Sequence, residues 1–266
     1  MHETEDIARR RACRPSRPRD DPSRLRARLL HRIARLRLAT VTEPVRIGSI
    51  ELPFTRVREP DAVLDRIVEE EDLRERLSGV RRTGDELHLP YWAELWDSSF
   101  GLGTFLARQR SPKRSPGLQA WDPFPHVLDL GCGMGLTGLV AAALGAHVTL
   151  ADLEPQALLF ARLNTLPYHD QVCVRRLDWR RDRLPRRFDL ILGADVLYER
   201  AQWDHLEPFW RAHLASDGAV LLGEPGRQTG DAFPEWISSR GWSFERFEQS
   251  TPRRRLPIRI FRLRLG

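Results

Sequence analysis

VLDLGCGMGLTG, Val127 to Gly138, joins an apolar run of strand character to an apolar run of helical character through a turn with alternating glycines. Glycine in such a turn lets the backbone approach a nucleotide closely. The spacing narrows what the turn can hold. A dinucleotide fingerprint is G-x-G-x-x-G, and counting from Gly131 puts Leu136 where its third glycine belongs. No G-K-[ST] ending of a phosphate loop follows, so the nicotinamide and nucleoside-triphosphate readings both weaken. Instead Gly131, Gly133 and Gly135 alternate, with Asp129 two residues before the first of them.

Downstream the pattern is regular: a helix LTGLVAAALG, a strand HVTLAD, a helix PQALLFARLN, a strand VCVRRLD and a strand FDLILGAD. A helix over about 202–215, a strand GAVLLG, a helix over about 232–240 and two strands near 242–248 and 256–265 complete the chain. Strands alternating with helices predict an α/β fold, a mostly parallel sheet with helices on both faces. The last two strands predict an antiparallel hairpin at one edge, because a short connection cannot make a parallel crossover.

Upstream, residues 1–22 mix Arg, Pro, Ser and Asp without apolar period and read as disordered. From Ser23, Leu25, Leu29, Ile33 and Leu36 recur at helical spacing between arginines, a basic amphipathic helix expected to pack on the main domain. VRIGSIELPFTRVR, 45–58, suggests a short strand pair broken near Gly48 and Pro53. Asp61 is placed to cap a helix reaching about Leu77, with Glu69 to Asp72 on its solvent side. The expected division is an Arg-rich arm over 1–40, an extension over 41–88, and a main domain over 89–266 interrupted by a proline-rich loop at 111–125.

The formal charge is +6, but residues 1–40 carry twelve arginines against five acids, a local +7 that leaves −1 for the rest. A nucleic-acid footprint is therefore confined to the arm. Lys113 is the one lysine, so compositional bias explains the arginines as well as nucleic-acid binding does. No apolar run approaches the roughly 20 residues of a membrane span and no N-terminal signal is recognisable, so a cytoplasmic protein is expected. Cys13, Cys132 and Cys173 lack the paired spacing of a zinc knuckle, and no metal is implied.

The string D-x-G-x-G-x-G after a first strand resembles motif I of class I S-adenosylmethionine-dependent methyltransferases, which have a Rossmann-like seven-stranded sheet with an antiparallel edge hairpin. The resemblance implies a methyltransferase (EC 2.1.1.-) with S-adenosylmethionine as cofactor. It assigns Asp129, Gly131, Gly133, Gly135 and Ala194 to the cofactor site, and gives Asp152, 21 residues after Gly131, the ribose hydroxyls. A carboxylate can accept from both of those hydroxyls. Asp178 is assigned the adenine amino group, with Trp179 as an aromatic wall. Asp152 or Asp178 taken alone is an ordinary loop acid; it is their register with the glycine turn that singles them out.

Two further stretches, PYWAELWDSSFGL and the D-x-x-Y of Asp195 to Tyr198, resemble the seven-strand protein-lysine methyltransferases. LLGEPGR, Leu221 to Arg227, looks like the G-D-P-G-R stretch of those that modify the electron-transfer flavoprotein β subunit, with Glu224 for the aspartate. The resemblance covers roughly 89–265 and implies a protein substrate with a lysine side chain. Asp195 would orient its amine, and Tyr198 would shape the slot; alternatively the pair merely begins a helix. Small-molecule and nucleic-acid methyltransferases, or a non-catalytic cofactor-binding module, are the other readings. For nucleic acid, Val196 and Leu197 stand where an N-P-P-Y motif has prolines. Asp97 departs from a proline common in relatives. Trp92 and Trp96, four apart, read either as core on one helix face or, for Trp96, as a lid over the cofactor, with Asp97 and Ser98 capping the next helix.

Overall fold

Alternation of apolar residues builds the sheet. The computed structural model describes residues 21–80, 89–109 and 125–266; the expected disorder of the first residues and the proline-rich loop lie outside them, except for positions 21, 22 and 125. Nine strands are described: β1 (Thr40–Ile47), β2 (Ile50–Val57), β3 (His126–Leu130), β4 (His147–Asp152), β5 (Val172–Arg176), β6 (Phe188–Ala194), β7 (Leu214–Glu224), β8 (Trp242–Gln249) and β9 (Ile258–Leu265). The helices are α1 (Pro22–Ala34), α2 (Pro60–Ser78), α3 (Asp97–Gln109), α4 (Leu136–Ala143), α5 (Pro155–Asn164), α6 (Trp203–His213) and α7 (Gln228–Ser238).

Seven strands form one sheet in the order β5-β4-β3-β6-β7-β9-β8. All neighbours run parallel except β9, which is antiparallel to both β7 and β8. The expected seven-stranded sheet with its edge hairpin is therefore present. Successive side chains of a strand point to opposite faces, and the sequence sorts them. Leu128 and Leu130 of β3, Val220 and Leu222 of β7, and Phe261 and Leu263 of β9 meet Trp203, Phe209 and Trp210 of α6 and Phe233 and Ile237 of α7. Val127, Leu221, Ile258 and Ile260 point the other way, to Leu102, Phe105 and Leu106 of α3 and Ala141 and Ala142 of α4. Order reverses between β3 and β6: the chain runs from β3 outward to β5, then returns to the other side of β3. Ligands of open α/β sheets bind at such a switch, beyond the carboxyl ends of the strands.

The N-terminal elements share a third apolar cluster with the main domain. Leu29 and Ile33 of α1, Val45 and Ile47 of β1, and Leu52, Phe54 and Val57 of β2 pack with Trp92, Leu136, Phe160 and Leu163. No helix among the described residues is long and apolar enough to cross a membrane.

Four local expectations are corrected. The hairpin turns at Gly48 (φ +60°), but Pro53 does not break β2. It lies directly opposite Pro44 of β1, and a two-stranded ribbon tolerates proline wherever the missing N–H would point outward. Asp61 is not the cap of α2: Glu59 precedes the helix without a side-chain capping bond, Pro60 opens it, and Asp61 sits in the first turn where the helix dipole favours a carboxylate. Trp92 and Trp96 share no helix face, because Tyr91–Ala93 is a single 3₁₀ turn and Glu94 is extended. Asp97 and Ser98 give no capping bond to α3: the Asp97 carboxylate accepts from Arg253 Nε at 2.9 Å, and the buried Ser98 Oγ has no partner among the described residues.

Candidate active site

The glycine turn leaves β3 at the switch point. Gly131, Gly133 and Gly135 all have positive φ, which L side chains rarely adopt. At Gly135 space also requires glycine: an added Cβ would lie 2.9 Å from Leu150 Cδ2 and 3.1 Å from Ala161 Cα. The turn is tied to β4, with Gly131 N and Cys132 N both donating to Ala151 O, at 2.8 and 3.1 Å. Asp152, at the end of β4, accepts from Gly133 N through Oδ2 at 2.8 Å and from Glu154 N through Oδ1 at 2.9 Å. Asp129, 1 % exposed, accepts from Gly138 N through Oδ2 at 2.8 Å. Its Oδ1 is buried with no partner among the described residues.

Both carboxyls sit above their ordinary range. Burial pushes Asp129 up to about 7; the Gly138 amide opposes this and the charge of Asp152 adds to it. Burial likewise pushes Asp152 up to about 6, against the amides of Glu154 and Gly133.

At the end of β5, burial would raise Asp178, but hydrogen bonds and charge from Arg180 outweigh it and hold the carboxyl below its usual value. Asp178 Oδ1 accepts from Arg180 Nε at 3.0 Å and Oδ2 from Arg180 Nη2 at 3.2 Å. Trp179 stands against the turn: a Cβ on Gly131 would be 3.5 Å from its ring. Its Nε1 donates to Gln202 Oε1 at 3.2 Å.

Asp195 follows β6 in a left-handed backbone conformation, φ 61°, uncommon outside glycine and best tolerated by Asn and Asp. Its N–H donates to Gly223 O at 2.9 Å, and its buried carboxylate receives both Nε and Nη2 of Arg227, each at 2.9 Å. This bidentate pair raises the Arg227 pKa further. Arg227 is itself held: its N–H donates to Glu224 Oε1 at 2.5 Å, its carbonyl accepts from Arg259 Nη2 at 2.9 Å, and its guanidinium lies 5.4 Å over the Trp96 ring. Glu224 also binds Gly226 N and the Arg259 guanidinium, so the E-P-G-R stretch is a turn organised by one buried carboxylate. Trp96 Nε1 donates to Tyr91 O at 2.9 Å. The Tyr91 ring stands edge-on to Trp96 at 6.3 Å and to Tyr198 at 5.5 Å. Burial pushes the Tyr198 hydroxyl up to about 12, so it remains a donor at neutral pH.

A cavity of about 620 Å³ joins these groups, and its lining includes all eleven residues singled out in the sequence: Trp96, Asp129, Gly131, Gly133, Gly135, Asp152, Asp178, Trp179, Ala194, Asp195 and Tyr198. Trp92 lines it too, but is chiefly core, its ring 5.9 Å from Phe160. Sequence reasoning missed Tyr91 and Arg227. Tyr91 lies in the PYWAELWDSSFGL stretch and Arg227 in LLGEPGR, and the signal that could have found Arg227 was an arginine just beyond the next strand in sequence after the acid that follows β6. The lining also carries Glu94, Glu154 and Glu199; with Asp129, Asp152, Asp178 and Asp195 these make, among the described residues, seven carboxylates against one arginine, Arg180.

The family described as lysine methyltransferase matches residues 90–234. Protein N-lysine methyltransferase METTL21A of Xenopus tropicalis is 36% identical over 137 residues, 49% of this chain and 58% of that protein. Electron transfer flavoprotein beta subunit lysine methyltransferase of Danio rerio is 32% identical over 144 residues, 52% and 51% of the two chains. The match thus spans somewhat over half the length of these curated relatives. In fold, the crystal structure of the glycopeptide N-methyltransferase MtfA superposes with a TM-score of 0.52 at 15% identity, covering 64% of this chain and 91% of that one. With more than half of its length matched, and with the glycine turn, the strand-end acids and the D-x-x-Y residues lining one cavity, the chain belongs to the lysine methyltransferase family.

Proposed function

We propose that the protein is an S-adenosylmethionine-dependent methyltransferase whose acceptor is a lysine side chain of another protein. Two chemistries meeting in one cavity carry this reading: a glycine turn flanked by Asp129 and Asp152, and a mouth formed by Asp195, Tyr198, Tyr91 and Trp96. The buried Asp129 Oδ1, without a partner among the described residues, suits an ammonium donor such as the amino-acid end of the cofactor. Each Asp152 oxygen uses one lone pair on a backbone amide and keeps another for a ribose hydroxyl. Asp178 is shared with Arg180, which leaves the Trp179 face as the wall for an adenine ring. S-adenosylmethionine, when bound, supplies a methyl group on a positively charged sulfur.

The rest is the work of the chain. A lysine amine, with pKa of about 10.4 in solution, must shed its proton before it can attack. A bare carboxylate beside it would hold that proton more tightly. Arg227 offsets the charge of Asp195, so Asp195 can accept a hydrogen bond from the amine and aim it without strongly favouring the ammonium form. Tyr91 and Tyr198 present ring surface to an aliphatic stem. Of the seven carboxylates described in the lining, Asp178 and Asp195 are paired with Arg180 and Arg227, and the remaining excess of acid attracts cations and repels phosphate, which favours a lysine over a nucleic-acid acceptor.

Incubation with methyl-labelled cofactor and cell extract should label nuclease-resistant protein bands. Asp195→Asn, which tolerates the left-handed backbone, should remove that label. Label confined to RNA or metabolites would overturn the proposal.

A further inference from the structure

The family match begins at residue 90, yet β2, far upstream of it, is joined to the glycine turn by one side chain. Asn164 ends α5 and is 5 % exposed. Its Oδ1 accepts the Thr55 N–H at 2.7 Å, and its Nδ2 donates to Thr55 O and to Met134 O, each at 2.9 Å. The two bonds to Thr55 repeat what a neighbouring strand would offer, so the amide completes the open edge of β2. The third bond reaches inside the turn, since Met134 lies between Gly133 and Gly135.

That placement matters because the turn is soft there. Gly133 and Gly135, on either side of Met134, are the residues best able to rotate. The Gly133 N–H is held by Asp152, and the Gly135 N–H by Cys132 O at 2.8 Å. The Met134 carbonyl is held by Asn164, whose own orientation is set by the hairpin. Apolar packing locks the arrangement: Phe54 and Val57 of β2 are buried with Met134, Phe160 and Leu163.

Resting on the reading that the turn holds S-adenosylmethionine, we propose that Asn164 is a positioning residue through which the N-terminal hairpin shapes the cofactor turn. Cofactor affinity then depends on a segment outside the family-matched span.

The test is calorimetric titration of the 266-residue chain with S-adenosylhomocysteine, alongside thermal unfolding. Asn164→Leu keeps the bulk and removes all three bonds, leaving buried backbone groups unpaired, and should weaken binding about tenfold or more. Leu29→Ala, which thins the packing of α1 without touching these bonds, should lower the unfolding temperature yet bind within about twofold of the parent. If Asn164→Leu does not fold, Asn164→Asp keeps the acceptor for Thr55, loses both donors, and should show the same loss. Hydrogen exchange of the 133–136 amides in the unliganded protein should quicken in the Asn164 variants and not in Leu29→Ala. Equal affinity and equal exchange in the Asn164 and Leu29 variants would overturn the proposal. A parent protein that failed to bind S-adenosylhomocysteine would overturn the cofactor reading, while the exchange comparison would still judge the coupling.

Discussion

Asp129 and Asp152 are carboxyls whose ionisation the fold opposes, and that opposition should be visible in ligand binding. Because burial raises both, to about 7 and about 6, the unliganded fold binds these protons more tightly than the unfolded chain does. Their contribution to stability is present below about pH 4 and is lost as pH rises through those values. A ligand that brings an ammonium to Asp129 and hydroxyls to Asp152 favours the ionised forms. S-adenosylhomocysteine should therefore bind more tightly as pH rises from about 5 to about 8, then level off, with proton release at the lower end measurable by calorimetry in buffers of different ionisation heat. Asp129→Asn should flatten the upper part of this rise. A flat pH profile in the parent protein would contradict the assignment. Residues of this kind were legible in the sequence because each lies at or next to the carboxyl end of a strand, at a fixed distance from the glycines. Their partners were not: Arg227 reaches Asp195 across 32 residues, and only the side-by-side placement of β6 and β7 brings the two together.

At the scale of the element, β3, its turn and α4 act as one piece, and its glycines are not equivalent. Gly135 precedes α4 at φ +89° with Leu150 and Ala161 pressed against it, so Gly135→Ala combines backbone strain with overpacking. The expected loss is about 2 to 4 kcal/mol. Gly133→Ala meets nothing among the described residues nearer than Trp92 O at 3.9 Å and carries only the cost of positive φ, about 1 to 2 kcal/mol. Chemical denaturation of the two variants should rank them in that order; equal losses would mean that the space around Gly135 is not close-packed. The strands and helices after His126 could be read from periodicity because burial on a sheet imposes it. The misread elements lie where periodicity says nothing. Pro53 is permitted by the proline it faces across the hairpin, and the Trp92–Trp96 spacing mimics a helix that the Tyr91–Ala93 turn ends after three residues.

For the whole molecule, charge and packing divide the N-terminal arm differently. By charge, residues 1–40 are one basic block of +7 on a remainder of −1. By packing, the block is split: Leu29 and Ile33 of α1 are each 3 % exposed and belong to the cluster that includes Phe160 and Leu163 of α5. Removing residues 1–20 should leave the unfolding temperature and S-adenosylhomocysteine affinity unchanged, because that stretch mixes Arg, Pro, Ser and Asp without an apolar period. Removing residues 1–38 takes away two fully packed aliphatic side chains and bares the α5 surface beneath them, a cost of about 3 to 6 kcal/mol. The bonds of Asn164 to Thr55 and Met134 are left in place, so S-adenosylhomocysteine affinity of the folded protein should change far less than in the Asn164 variants. The two truncations, compared by thermal unfolding and calorimetry, separate the roles: a shorter truncation that lost stability, or a longer one that kept it, would mean that α1 is not part of the folded core.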